Sequence, residues 1–269
     1  MTKLIEKYPV FFYFALTISL AWVVWIPLAL HALEIIQFPL PIILGQPLGT
    51  FSVLVALFLI DRLSRKEISL EAIFQKIQFD KTYRTLWWLG VSAILLPGFT
   101  ALGNLLDLVL GITDEYVLFK PEVVATLGSG LVVLIPVTLL AGLLSSPLLE
   151  EPGWRGFAIE RLQSKYGHFL GSLILGSVWW LWHQPINLAN GLDISLYSYL
   201  FMLVTSFTID TVYFLTDHNL LSAMVMHSSS IVIFSYLYTY SYGIGVFLVS
   251  VPVIAVLRFY GYKKRNQPD

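Results

Sequence analysis

The chain has 269 residues, of which 57% are hydrophobic and only 12% are charged, and its mean hydropathy is +0.76. An ordinary soluble domain has roughly 25% charged residues, so this composition indicates a membrane protein. The net charge of −1, without a basic block, excludes a nucleic-acid partner, and the absence of cysteine excludes disulfides, cysteine-ligated zinc and a thiol nucleophile. Histidine and carboxylate side chains remain as reactive groups.

Eight apolar stretches approach the ~20 residues that a helix needs to cross a bilayer. We therefore predict an all-α, polytopic membrane protein, a bundle of about eight transmembrane helices that forms a single integral membrane domain over residues 1–269. The first stretch is longer than a signal-peptide core, and we expect it to be retained. The polar stretch 61–84 is long enough to hold an interfacial helix. The predicted spans are 9–30, 41–60, 86–106, 123–149, 169–186, 196–215, 220–238 and 243–260.

The positions of lysine and arginine predict the orientation, because cytoplasmic loops retain positive charge. With eight spans, only Lys120 falls on the outer side, which predicts a multi-pass protein of the cell membrane with both termini in the cytoplasm. The residues on the cytoplasmic side are Lys3, Lys7, Arg62, Arg65, Lys66, Lys76, Lys81, Arg84, Arg155, Arg161, Lys165, Arg258, Lys263, Lys264 and Arg265.

Two pairs of glycines have the small-xxx-small spacing that allows helices to approach closely. They are Gly45 with Gly49, and Gly167 with Gly171. We expect these pairs to serve helix packing and not chemistry.

A cluster of charges follows the fourth apolar stretch, where Glu150 and Glu151 precede Pro152 and Arg155. Charges at bilayer depth cost about 2.5–3.5 kcal/mol each on insertion scales, so those retained usually face a cavity or a partner. Four residues separate Glu151 from Arg155, which predicts an ion pair on one helix face. Glu150 is turned about 100° away and is predicted to point into the bundle, and Pro152 is predicted to kink the helix. A surface acid pair at a helix end is the alternative for these residues alone.

Two histidines lie in apolar helices. His183 shares a helix face with Trp179, four residues earlier, and Pro185 predicts a helix break just beyond it. His227 lies in the seventh span beside small polar residues. A lone histidine in such a helix is usually a packing residue. A carboxylate and two imidazoles on three helices, however, can activate water as a general base or ligate a metal that does so.

At these residues the chain resembles the CPBP family of intramembrane proteases, also called the Abi or CAAX-protease family, which includes the type 2 CAAX prenyl endopeptidases. Glu150, Glu151 and Arg155 match the first part of its signature, two glutamates followed by arginine. Trp179 and His183 match the second part, an aromatic residue, usually phenylalanine, four positions before a histidine. The motifs lie within residues 123–238, the predicted core.

The third part of the signature is a histidine followed four positions later by asparagine or aspartate. His227 fits the histidine, but Ile231 stands in the polar position. This departure leaves the oxyanion hole of the family without its amide half. Asn187 and the three serines Ser228, Ser229 and Ser230 are the candidates to replace it.

The resemblance implies an endopeptidase that cleaves a membrane-anchored peptide or protein, with a prenylated CAAX-type peptide as the suggested case. Glu150 and His183 would activate the attacking water, His227 would stabilise the oxyanion, and Glu151 with Arg155 would shape the site. Alternatively, Glu150, His183 and His227 could ligate Zn²⁺, although the sequence has no HExxH motif. We favour water activated directly by glutamate and leave the metal open.

Three other interpretations compete with this one. A serine protease of the rhomboid kind would use Ser129, which lies in a Gly-Ser-Gly sequence that lacks the first glycine of the usual motif. An aspartyl type would need a second intramembrane aspartate besides Asp210, which itself should have a partner in the membrane. The departure at Ile231 favours a non-catalytic membrane protein, such as a transporter, a scaffold or a bacteriocin immunity factor.

Overall fold

The structure is a computed structural model that describes residues 2–64, 69–192, 194–240 and 243–265, without the side chains of Thr2, Lys3, Tyr262, Lys264 and Arg265. Of the residues that predicted the orientation, Arg65 and Lys66 and the side chains of Lys3, Lys264 and Arg265 lie outside the described part. The cytoplasmic location of both termini stays a prediction.

Helices account for almost all the regular structure in the described residues, which confirms the prediction of an all-α polytopic membrane protein. A 3₁₀ turn, Gly128–Gly130, and a π-helix, Trp154–Ile159, interrupt the α-helical pattern, and an isolated bridge joins Phe119 to Leu237. The α-helices are α1 (Thr2–Lys7), α2 (Pro9–Ala32), α3 (Ile42–Thr50), α4 (Ser52–Leu63), α5 (Leu70–Phe74), α6 (Tyr83–Val109), α7 (Pro121–Leu127), α8 (Leu131–Leu143), α9 (Ser146–Gly153), α10 (Glu160–Ala189), α11 (Leu196–Leu215), α12 (Leu220–Tyr236) and α13 (Gly245–Arg265).

Within the described residues, five helical segments are long and apolar enough to cross a membrane. The seventh and eighth predicted spans correspond to the shorter apolar helices Leu220–Tyr236 and Gly245–Gly261, and the fifth lies inside α10. The polar stretch 61–84 contains the short helix α5, as expected for an interfacial segment. The five long segments are Pro9–Ala32, Ile42–Leu63, Tyr83–Val109, Pro121–Leu143 and Leu196–Leu215.

Two predicted helix ends are wrong. The second and fourth predicted spans correspond to the segments Ile42–Leu63 and Pro121–Leu143, with a turn at Phe51 and a 3₁₀ turn at Gly128–Gly130 inside them. The fourth segment ends at Leu143 and not at residue 149, so the acidic motif lies on a separate short helix, α9. Pro185 does not end α10, which continues to Ala189. Hydropathy is averaged over a window of residues, so it does not detect local changes in backbone conformation such as these.

The chain divides into two compact units, and each is described by itself. Unit 1 comprises residues 1–77 and 148–206, and α2 packs there against α3, α4 and α10. Gly45 and Gly49 lie against the side chains of Leu28 and Trp25, which confirms their predicted role in packing. The indole Nε1 of Trp25 donates to the Gly45 carbonyl at 3.1 Å and fastens α3 to α2.

The second glycine pair acts differently from the prediction. Gly167 has φ 79° and ψ 168°, a conformation that glycine adopts readily, and it interrupts α10 without close neighbours. The chain turns there, so that Gly171 packs closely against Gln163 within the same element. Gly167 is therefore a turn residue, and only Gly171 is a packing residue.

Unit 2 comprises residues 78–147 and 207–269, where α6 packs against α12 and α13, and α8 packs against α12. Asp107 on α6 accepts hydrogen bonds from the backbone N–H groups of Ile244 at 3.0 Å and Gly245 at 2.8 Å, at the N-terminal end of α13. Such a carboxylate satisfies donors that a helix N-terminus leaves unpaired.

Asp210 on α11 has the electrostatic partner that an acid in an apolar helix requires. The charge of Asp210 acts on the Arg258 guanidinium of α13. Arg258 Nε also donates to Thr211 Oγ1 at 2.8 Å, and the guanidinium lies 4.6 Å from the centre of the Phe207 ring. The contacts of Arg258 with Thr211 and Phe207 attach α13 to α11.

The contact between α6 and α13 generates a prediction about stability. A Cβ added at Gly103 would lie 2.5 Å from the backbone N and 2.6 Å from the Cα of Val246, and backbone atoms cannot rotate away. Overpacking of this kind costs about 1–3 kcal/mol. We expect Gly103→Ala to lower the thermal unfolding midpoint of the protein in detergent by several degrees.

Gly98, on the same helix, is the matched control, since a Cβ there meets no atom within 4 Å. Gly98→Ala should leave the midpoint unchanged or raise it, because alanine favours the helix. Equal midpoints for the two variants would contradict the described contact between α6 and α13.

Candidate active site

The acidic motif lies where an α-helix changes into a π-helix. Pro152 on α9 has no backbone N–H and cannot donate to the carbonyl four residues earlier. The π-helix Trp154–Ile159 begins two residues later and carries Arg155. Single π turns inside α-helices occur frequently at functional sites. The predicted disturbance at Pro152 is therefore present, as a change of helix type.

The predicted ion pair between Glu151 and Arg155 is confirmed. Arg155 Nη1 donates to Glu151 Oε1 at 3.1 Å, and both side chains are fully buried. Arg155 Nη2 donates to Ser206 Oγ on α11 at 2.9 Å. A buried guanidinium needs several acceptors as well as a counter-charge, and these contacts provide both.

Glu150 points away from this pair, as predicted, and is also buried. Its Oε2 accepts a hydrogen bond of 2.9 Å from the indole Nε1 of Trp179 on α10. The Arg155 guanidinium lies 5.1 Å from the centre of the same indole ring. Trp179 therefore lies between the two parts of the acidic motif and connects them to α10.

His183 is half-buried on α10, one turn after Trp179. Its Nδ1 lies 2.8 Å from the Trp179 carbonyl oxygen, which can only accept, so Nδ1 is the donor. In the neutral ring this assigns the basic lone pair to Nε2. The indole rings of Trp179, Trp182 and Trp25 lie 5.3, 4.6 and 6.3 Å from the imidazole and restrict its orientation.

Unit 1 thus brings together four of the predicted site residues, Glu150, Glu151, Arg155 and His183. A buried carboxylate and an imidazole of fixed tautomer are suited to general acid–base chemistry. The hydrogen bond that Trp179 donates to Glu150 and the one that Ser206 accepts from Arg155 are not predicted by the sequence. Ser206 is one of several polar residues in the apolar run of α11, and these residues were the signal that could have indicated partners for the charges.

His227 lies in unit 2, on α12, and only 5% of its surface is exposed. The three serines that follow it use their hydroxyl protons within this unit. Ser228 donates to the carbonyl of Leu139, and Ser229 and Ser230 donate to the carbonyls of Met226 and His227, at distances of 2.6 to 2.7 Å. Each hydroxyl has one proton, so these serines in this state have no donor for an oxyanion.

Ile231 and Asn187 complete the comparison with the signature. Ile231 packs against α8 beside Gly142 and contributes only apolar contact there. Asn187 lies on α10 of unit 1, four residues after His183 and therefore on nearly the same helix face, and it is half-buried. Of the candidates to replace the missing amide, Asn187 is the one that lies in unit 1 with Glu150 and His183.

The alternative chemistries receive less support. Ser129 lies exposed in the 3₁₀ turn Gly128–Gly130 and not in a buried site like that of Glu150. Among the described residues of either unit, no three histidine, aspartate or glutamate side chains form a cluster that could hold a metal ion.

Comparison with known proteins relates this site to a family. Residues 131–233 match the family model of Rce1-like type II CAAX prenyl endopeptidases. CAAX prenyl protease 2 of Methanococcus maripaludis is 45% identical to the chain over 56 residues, which are 21% of this chain and 20% of the relative. The chain thus matches about a fifth of the length of this curated relative. The comparisons confirm the resemblance that the motifs indicated: the segment that carries all the predicted site residues is similar to the type II CAAX prenyl endopeptidases.

Proposed function

We propose that the chain is an intramembrane endopeptidase in which Glu150 and His183 activate a water molecule. One observation carries the proposal: within the segment that matches the protease family, Trp179 binds the Glu150 carboxylate through its indole and the His183 ring through its carbonyl. The two groups that the chemistry needs are thus held by one residue, in a buried environment where electrostatic interactions are strong.

In the proposed reaction, a water oxygen adds to the carbonyl carbon of the scissile amide, and the water proton passes to Glu150, assisted by Nε2 of His183. The carbonyl oxygen becomes the oxyanion of a tetrahedral intermediate. Collapse of the intermediate breaks the C–N bond, and the proton returns to the leaving nitrogen. The products are a carboxylate and an amine, and water is the only co-reactant.

The oxyanion needs donors, and we assign them to two residues. The resemblance to the protease family suggests His227 as one donor. We assign the second to the Asn187 amide, because Ile231 has no polar group and the serine hydroxyl protons are already donated to backbone carbonyls. Preorganised donors of this kind usually make a large contribution to acyl-transfer catalysis.

The substrate class follows from the comparisons and the hydropathy. The chain has several apolar helices of spanning length, and the matching relative is named a CAAX prenyl protease. We propose a membrane-anchored peptide or protein as the substrate, with a prenylated CAAX-type peptide as the first to test. The lipid bilayer would hold the substrate close to the enzyme.

We predict that Glu150→Gln abolishes cleavage of such a peptide by the purified protein in liposomes. Glutamine keeps an acceptor for the Trp179 indole but cannot take the proton, so the fold is retained and kcat falls by roughly 1,000-fold or more. Cleavage is measured by mass spectrometry on prenylated and unprenylated peptides.

Two controls define this experiment. Glu71→Gln changes an exposed acid on α5 and should keep full activity. Ser129→Ala should also keep full activity, whereas its inactivity would indicate a serine mechanism. If the Glu150→Gln variant cleaves at the wild-type rate, the proposed role of Glu150 is wrong.

A separate prediction concerns the oxyanion. Asn187→Ala should lower kcat by roughly 100-fold, the usual effect of removing one oxyanion donor. Asn190→Ala is the matched control on the same helix, because its amide already donates to the Ile186 carbonyl at 2.9 Å. Equal kcat values for the two variants would contradict the assignment of Asn187.

Ile231 favours one alternative function, a non-catalytic membrane protein such as a scaffold or a bacteriocin immunity factor. In that case the buried charges would serve stability or partner binding. Absence of cleavage by the wild-type protein, over a broad set of prenylated and unprenylated peptides, would support this alternative and oppose the protease.

A further inference from the structure

Trp179 is the point at which the groups of the proposed active site are connected. We propose that Trp179 is a positioning residue, whose indole N–H holds the Glu150 carboxylate in the orientation needed to accept a proton from water. This inference rests on the proposed protease function and goes beyond it, because it assigns a task to a residue that acts through Glu150.

The family signature usually has phenylalanine at this position, so the indole N–H that binds Glu150 is a feature of this chain and not a general requirement of the reaction. The terminal torsion of glutamate is broad, so burial alone does not fix the plane of the carboxylate. The 2.9 Å hydrogen bond from Trp179 Nε1 to Oε2 fixes it, and this bond is charge-assisted. Both residues are only 2% exposed, so water does not compete well for the carboxylate oxygen.

The indole is itself held in place. The Arg155 guanidinium lies over its face at 5.1 Å, and Arg155 is fixed by Glu151 and Ser206. Stacking of a cation on tryptophan is favourable and restricts the ring. The buried ion pair, the indole and Glu150 therefore form one chain of contacts, and the orientation of Glu150 depends on the ring.

The hydrogen bonds of Trp179 to Glu150 and to His183 can be separated experimentally. The contact with His183 uses the backbone carbonyl, which every residue has, whereas the contact with Glu150 uses the indole N–H. Trp179→Phe removes the second contact and leaves the first. Phenylalanine also keeps an aromatic face for Arg155, so a decrease in kcat beyond that caused by lost packing reports on the hydrogen bond to Glu150.

Trp180 provides a matched control in the adjacent position. Its Nε1 has no hydrogen-bond acceptor in the described part of the chain, and its ring contacts Tyr199 at 5.2 Å. Trp180→Phe removes the same atoms from the same helix without removing a hydrogen bond. The comparison of the two variants isolates the N–H of Trp179.

The experiment measures kcat and KM for the purified full chain in liposomes, with a peptide that the wild type cleaves. We expect Trp179→Phe to lower kcat by roughly 10- to 100-fold with little change in KM, since misplaced catalytic groups cost about this much, and Trp180→Phe to retain the wild-type kcat. If Trp179→Phe does not fold, benzothienylalanine at position 179 replaces the N–H by sulfur and keeps the ring shape.

A second readout, the NMR resonance of the Trp179 indole N–H, does not depend on activity. It is assigned by its loss in Trp179→Phe, and we expect it to move when Glu150→Gln replaces the charged acceptor by a neutral one. Equal kcat values for Trp179→Phe and Trp180→Phe, a change confined to KM, or an indole resonance unaffected by Glu150→Gln would each overturn the inference. If the wild-type protein is inactive, the protease function is wrong, and the positioning role is wrong with it. The NMR measurement would still show whether the hydrogen bond between Trp179 and Glu150 exists.

Discussion

The ion pair between Glu151 and Arg155 is the interaction on which the site in unit 1 depends. Moving a charge out of water costs several kcal/mol even after relaxation, and a pair offsets this only with good geometry and further hydrogen bonds. Arg155 meets this condition with a carboxylate, a serine hydroxyl and an aromatic face. These partners come from three helical segments, so the pair fixes α10 and α11 relative to the acidic motif.

The same arrangement explains how two adjacent acids take different tasks. Glu151 is held by Arg155, whereas Glu150 is turned away and bound by Trp179. Trp179 then fixes the tautomer of His183 through its carbonyl group. Charge compensation and the orientation of the proposed base thus use one continuous set of contacts, which is the preorganisation that electrostatic catalysis requires.

The sequence predicts this site to the extent that its interactions are local. The pairing of Glu151 with Arg155 is an i, i+4 contact, and it could be read directly from the spacing. The hydrogen bond between Trp179 and Glu150 joins residues 29 positions apart, and only the packing of the helices brings them together. Serine hydroxyls near His227 were plausible donors by composition, but serines inside helices commonly bond to a preceding carbonyl, as they do here.

In the fold, too, the sequence predicts some features and misses others. The ends of α11 coincide with the predicted span, because the apolar run is bounded by polar residues on both sides. The interruptions of the helices at Phe51 and at Gly128–Gly130 were not predicted, because hydropathy measures composition and not backbone conformation. The Gly-Ser-Gly sequence is a local signal for the second interruption, because glycine readily adopts a positive φ such as the 49° of Gly128.

The central claim is that water, activated by Glu150, attacks the peptide bond directly. The most direct test is cleavage of a membrane peptide by the wild-type protein in isotope-labelled water, with intact-mass measurement of the protein during turnover. The account predicts one labelled oxygen atom in the new carboxylate of the product and an unchanged mass of the protein. A protein that gains the mass of the acyl fragment during turnover would contradict direct attack by water.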